Sequence, residues 1–231
     1  MQPTPILTPD SSSQSIALAP NRVLRNTYAL LALSLVPTVL GAWIGMQLNF
    51  SFFQGSPVIG FIAFLAIAFG FMFAIEKTKN SGVGVAVLLG FTFFMGLMLS
   101  RLVGSVLGMS NGASLIALAG GGTAAIFFGM SSLAATIKRD LSGMGKALFI
   151  GMILLLVAAF ANIFLQLPAL TIALSVIAIG IFSAFLLYDL NRIITGGETN
   201  YISATLAVYL SLYNIFANLL SLLGIFGGDR D

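Results

Sequence analysis

The sequence predicts an all-α integral membrane protein, a bundle of seven transmembrane helices, and three observations carry that prediction. Of its 231 residues 58% are hydrophobic and 7% charged, with a mean hydropathy of +1.06, which leaves too little polar surface to cover a water-soluble globule. The apolar residues form unbroken runs of about 20, the length that crosses a bilayer as a helix, rather than the ~10-residue alternating segments of a membrane barrel. Short polar breaks separate these runs, and in lipid a run of this length satisfies its backbone only as a helix.

The first expected span, 26–47, follows a start rich in Pro, Ser and Thr, MQPTPILTPDSSSQSIALAPN, and ends at QLNFSFFQGSP. That start lacks the basic beginning and immediate apolar core of a cleavable signal peptide, so residues 1–22 are expected to form a flexible tail. The second span, 57–75, ends at EKTKNSG, where Glu76 and Lys77 reach the membrane surface. The third, 83–102, closes on Arg101, whose long side chain can snorkel to the headgroups before the break SVLGMSNG. The fourth, 113–135, ends at IKRDLSGMG, and the break QLP divides the fifth, 146–165, from the sixth, 168–190. NRIITGGETN then precedes the seventh, 201–225. Together the spans make one transmembrane domain over 23–231.

Basic residues orient the bundle. With the N-terminus in the cytoplasm, Arg22, Arg25, Lys77, Lys79, Lys138, Arg139, Lys146 and Arg192 lie inside, and only Arg101 and Arg230 lie outside. The positive-inside rule therefore predicts a cytoplasmic N-terminus and a C-terminus on the outer side. The net charge of +3 is accounted for by this topology signal, and nothing in the pattern points to nucleic acid. Glycines recur as Gly41-x-x-x-Gly45, Gly104-x-x-x-Gly108 and the run Gly120, Gly121, Gly122, a pattern that suits close helix packing within the chain.

The chain has no cysteine and no histidine. Disulfides, thiolate nucleophiles, serine–histidine pairs and most transition-metal sites are thereby excluded, and no cofactor is expected. An ionisable group inside a membrane is costly, by about 2.5–3.5 kcal/mol at a helix centre on insertion scales, so each one is a candidate for function. Asp189 is the foremost: Phe185, Leu186, Leu187 and Tyr188 precede it, and Ile193 and Ile194 follow. Its nearest partner by helical spacing is Arg192, at i+3. Gly196 and Gly197 end the sixth helix, and Thr199 or Asn200 can cap the seventh. On the seventh, Tyr209, Ser211, Tyr213, Asn214 and Asn218 give an apolar span an unusual polar content, and Ser211, Asn214 and Asn218 share one face. A polar stripe buried against Asp189 is the expected arrangement, because lipid would leave those groups unpaired.

The segment YDLNRIITGGETNYISATLAVYLSLYNIFANLLSLLG resembles the signature of the transmembrane Bax inhibitor motif family. In that family a Tyr-Asp pair ends the sixth helix and a stretch of the form Leu-Tyr-x-Asp-x-x-Asn-Leu-Phe lies in the seventh. The similarity extends over residues 22–226, and RNTYALLAL, ANIFLQLPAL and GGETNY resemble most the bacterial YccA-like branch, modulators of the membrane-anchored protease FtsH. The resemblance implies a bundle whose last helix is central and wrapped by the others. It also implies, for some members, two aspartates that share a proton and gate a pH-sensitive calcium leak. Asp189 occupies the first of those positions and Ser211 the second, so the shared-proton pair is broken in this chain.

Three functions follow for comparison. The resemblance implies an inner-membrane regulatory protein that binds and restrains the FtsH protease, gripped through the tail from Met1 to Arg22. The alternative is a calcium or cation leak at Asp189, although a usual calcium site gathers six to eight oxygens and the span supplies one carboxylate. An intramembrane aspartyl protease would need a second membrane aspartate, and Asp10, Asp140, Asp229 and Asp231 all lie in tails or loops. The chain is therefore read as a non-enzyme whose partners are the bilayer, an FtsH-type complex and, in the alternative, a calcium ion. The expected polar latch comprises Asp189, Arg192, Ser211 and Asn214.

Overall fold

The structure is a computed structural model that describes residues 11–50, 56–137, 139 and 141–227, with side chains from Arg22 onward. Seven helices account for nearly all of them: α1 (Ser11–Gln47), α2 (Pro57–Thr78), α3 (Gly82–Leu107), α4 (Gly112–Thr136), α5 (Met144–Leu165), α6 (Pro168–Ile194) and α7 (Tyr201–Gly227). All seven are long and apolar enough to cross a bilayer, α1 over its Arg22–Gln47 portion.

Local chemistry sets the ends. Ser56 accepts a hydrogen bond from the Ile59 amide and Pro57 takes the first helical position, where its missing N–H is no loss. Pro168 starts α6 in the same way, and Gln166 ends α5 in a left-handed conformation with φ 50°. The main difference from expectation is at the N-terminus: helical backbone begins at Ser11, not near residue 26. The polar run SSSQS breaks the hydropathy pattern without stopping a helix, because hydropathy reports membrane burial rather than backbone conformation. Of the expected tail, Met1 to Asp10 lie outside the described residues, and the remainder is the first part of α1.

Helix α7 packs against α1, α2, α3, α4 and α6, so it is central, as the resemblance implies. Leu30, Phe91, Met95, Leu186, Leu190, Val208, Tyr209 and Ile215 form the core around it. Helix α5 packs chiefly on α6 from the outside, and none of its residues is buried. Trp43, Phe73, Phe128 and Val157 are exposed on the outer surface of the bundle, where acyl chains would cover them.

The tightest helix pair is α1 with α3. A Cβ on Gly41 would lie 2.2 Å from the Phe93 carbonyl oxygen, and one on Gly96 2.1 Å from that of Thr38. Both positions therefore require glycine, and Gly41-x-x-x-Gly45 is a packing motif within the chain. Gly120 and Gly121 face open space instead, while Gly122 meets Leu219 of α7.

Candidate functional site at the junction of the last two helices

The α6–α7 turn is built from its sequence in a regular way. Thr195 caps α6, Gly196 takes φ +81°, and the amides of Gly196 and Gly197 return to the carbonyls of Ile193 and Arg192 at 3.3 and 2.8 Å. This paired return is the Schellman arrangement, which favours glycine at the left-handed position. Asn200 then caps α7, its Oδ1 accepting from the amides of Ile202 and Ser203 at 2.9 and 3.2 Å. Of the two residues expected to cap α7, Asn200 does so.

Asp189 is half-buried, one and a half turns before the end of α6, and lines a small crevice with Arg192, Ile193, Glu198, Ser203, Ala204 and Ala207. The two alanines of α7 leave the space. Among the described residues no ion pair or hydrogen bond joins Asp189 to Arg192, which corrects the expected i, i+3 pair. Arg192 instead donates to a Glu198 carboxylate oxygen at 3.4 Å and to the Gly197 carbonyl at 3.4 Å, and its guanidinium lies 5.6 Å from the centre of the Tyr188 ring. The reason is solvation: both members of the Arg192–Glu198 pair keep access to water, whereas a pair at Asp189 would draw the guanidinium down into the helix packing. Glu198 is fixed in turn by accepting from the Asn200 amide at 2.9 Å.

The expected latch is likewise not assembled. Ser211 is buried, but the residues of α7 that line the crevice are Ser203, Ala204 and Ala207, one to two turns earlier. Asn214 donates to the Leu210 carbonyl and Asn218 to the Asn214 carbonyl, each at 2.8 Å. Both amides are thus bonded back along their own helix, an option always open to an asparagine four residues after a carbonyl. No hydrogen bond among the described residues joins Asp189 to Ser211 or Asn214.

The polar contacts that do join helices lie elsewhere. The hydroxyls of Thr38 and Tyr209 are 2.8 Å apart, and Tyr209 also reaches the Thr92 carbonyl at 3.4 Å. Tyr213 donates to the Met95 carbonyl at 3.2 Å. Thr205 approaches the Thr27 carbonyl at 3.4 Å, which sets the middle of α1, the beginning of its Arg22–Gln47 portion, beside the start of α7. Asn191, fully buried, donates to the carbonyls of Ile137 and Arg139 at 3.2 and 3.3 Å and accepts from the Leu141 amide at 3.1 Å. Asn200 donates to the Lys79 carbonyl at 3.0 Å and to Asn80 Oδ1 at 2.9 Å. Sequence spacing signals Tyr209 and Tyr213, four apart on a polar face. It is silent on Asn191, whose partners are some 50 residues away.

The described residues contain no cluster of three or more carboxylates that could hold a metal ion. The arrangement is one of packing and bracing, with two half-buried carboxylates, Asp189 and Glu198, at its edge.

Comparison with known proteins agrees with this architecture. A relative in Escherichia coli K12, named modulator of FtsH protease YccA, is 41% identical over 95% of this chain and 97% of its own length. An uncharacterized membrane protein of Vibrio cholerae is 38% identical over 98% and 99%, and an uncharacterized protein of Neisseria meningitidis 37% over 90% and 93%. A further Escherichia coli relative, from strain CFT073, carries the name inner membrane protein YccA. Residues 20–228 match the family model described as inhibitor of apoptosis-promoting Bax1. That match covers all seven membrane-length spans, and the chain belongs to the Bax inhibitor family.

Proposed function

We propose that this chain is a non-enzymatic, inner-membrane regulatory protein that binds an FtsH-type membrane protease and restrains its action on membrane substrates. The observation that carries the reading is the 41% identity, spread over 95% of the chain, to a relative named for modulating that protease. Similarity over that span includes the whole helical core rather than a shared motif. The braced bundle suits the role, since a protease that pulls on a membrane protein must break helix packing, and here tyrosine hydroxyls tie the central helix to α1 and α3.

The N-terminus is assigned to the cytoplasm and the C-terminus to the outer side. Arg22, Arg25, Lys77, Lys79, Arg139, Lys146 and Arg192 support this orientation, because the sequence puts all of them at the starts of odd spans or on the even connections. The segment from Met1 to Arg22 is the part a cytoplasmic protease would grip, since chain ends are where such engagement begins.

The cation-leak alternative has less support. The crevice at Asp189 brings one further carboxylate, Glu198, and that one is engaged by Arg192. A calcium site needs several more oxygens. Removal of residues 2–10 from the otherwise intact chain tests the tail's part in the reading: protection of a membrane substrate from the protease is expected to fall, and full protection would remove the tail from the account.

A further inference from the structure

We propose that Asn191 and Asn200 form a two-point clamp that makes the α6–α7 turn a mechanical hub, so that the α2–α3 and α4–α5 connections move with it as one rigid plate. The inference concerns the fold's own mechanics and does not depend on any partner.

The two asparagines flank the turn from either side, one in the last turn of α6 and one at the cap of α7. Each spends its amide group on a different distant connection. Asn191 meets Ile137, Arg139 and Leu141, satisfying two carbonyls and one amide of the α4–α5 connection with a single buried side chain. Asn200 meets Lys79 and Asn80 across some 120 residues of sequence. Backbone groups in such connections have no helical partner of their own, and the asparagine amides supply one. The asparagines thereby tie these two connections to the turn.

The turn between them is itself stiff. Gly196 and Gly197 return to α6 through two backbone bonds, Thr195 donates to the Asn191 carbonyl at 2.8 Å, and Arg192 and Glu198 brace the loop from outside. A displacement of α6 against α7 would thus be passed to both connections at once. The crevice at Asp189 lies between the same two helix ends, so widening it requires the plate to shift or the clamp to break.

The chain's lack of cysteine allows a direct test, because introduced cysteines are the sole labelling sites. Gly82 and Gly143, in the two clamped regions, have nothing within 4 Å of a Cβ placed on them. The double variant Gly82→Cys/Gly143→Cys would carry spin labels in the full chain, reconstituted in lipid nanodiscs, for measurement of the distance distribution between the regions. Asn200→Ser is the informative substitution: serine keeps the cap on α7 but lacks an amide to reach Lys79 and Asn80. Asn191→Ala removes the other arm.

The expected result is one narrow distribution in the parent and at least a twofold greater width with Asn200→Ser, at a Tm within a few degrees of the parent. Asn191→Ala is expected to broaden it as well. An unchanged width with Asn200→Ser would overturn the clamp, and so would a parent distribution that is already broad. Should Asn191→Ala fail to fold, the Asn200→Ser arm decides the matter alone.

Discussion

The hydroxyls of Tyr209 on α7 and Thr38 on α1 meet at 2.8 Å in the bundle core. Each hydroxyl also has a backbone carbonyl within reach, Ser34 at 2.9 Å for Thr38 and Thr92 at 3.4 Å for Tyr209, so the pair is the centre of a small network in which either hydroxyl can donate to the other. This bond, with those to α3, fixes the central helix against the two that cross most closely. Tyr209→Phe keeps the ring and removes the bond. Interhelical hydrogen bonds in membranes average about 0.6 kcal/mol and reach about 1.7, so a loss of about 1 kcal/mol is expected, read as a lowered midpoint of unfolding in detergent. An unchanged midpoint would show that the hydroxyl contact adds nothing to packing.

The α1–α3 crossing should be far less tolerant. Gly41→Ala or Gly96→Ala places a methyl group about 2 Å from a backbone oxygen, which cannot rotate away as a side chain can. Overpacking of this kind costs about 1–3 kcal/mol, and here the upper part of the range is expected. Gly121→Ala, which meets open space, is the control and should be neutral or slightly stabilising. Thermal unfolding of the three variants side by side decides it, and equal midpoints would contradict the crossing.

At the junction, Arg192 and Glu198 form a half-buried pair that keeps access to water, with a long 3.4 Å contact, which limits its worth to about 1 kcal/mol. A double-mutant cycle with Arg192→Ala and Glu198→Gln should give a coupling within that limit. The same cycle between Arg192→Ala and Asp189→Asn should give a smaller one, because no ion pair joins those residues. A larger coupling to Asp189 would restore the arrangement that sequence spacing suggests.

Much of the fold was legible from hydropathy, and for a physical reason. Lipid forces each apolar run into a helix, so six of the seven helices start within a few residues of the expected positions, and the QLP and GGETN breaks fall where chain direction reverses. The start of α1 was not legible, since the polar run Ser11 to Ser15 is helical without being apolar, and Ile16 to Ala19 make an apolar stretch too short to signal a span. The turn was readable because Gly196 and Asn200 act through neighbours in sequence. The latch was misread because i, i+3 and i, i+7 spacing says which face a residue occupies, not whom it bonds. Asn214 and Asn218 turn back to their own helix, and Arg192 turns outward to Glu198. Asn191 and Asn200 act across 50 to 120 residues, a distance at which a single sequence carries no pairing signal.

Asp189→Asn bears on ion passage. With Ser211 in place of a second carboxylate and no hydrogen bond between the two positions, neutralising Asp189 is expected to leave calcium flux into loaded liposomes unchanged within error. A severalfold change in flux would return Asp189 to a gate and favour the leak over the regulatory reading.

The central claim is met most directly by the rate at which an FtsH-type protease degrades a membrane substrate in reconstituted membranes, with this chain absent and then present in excess. The account predicts a severalfold slower rate in its presence, with the chain itself persisting through the reaction. An unchanged rate, with the protein folded and in the same bilayer as the protease, would contradict it.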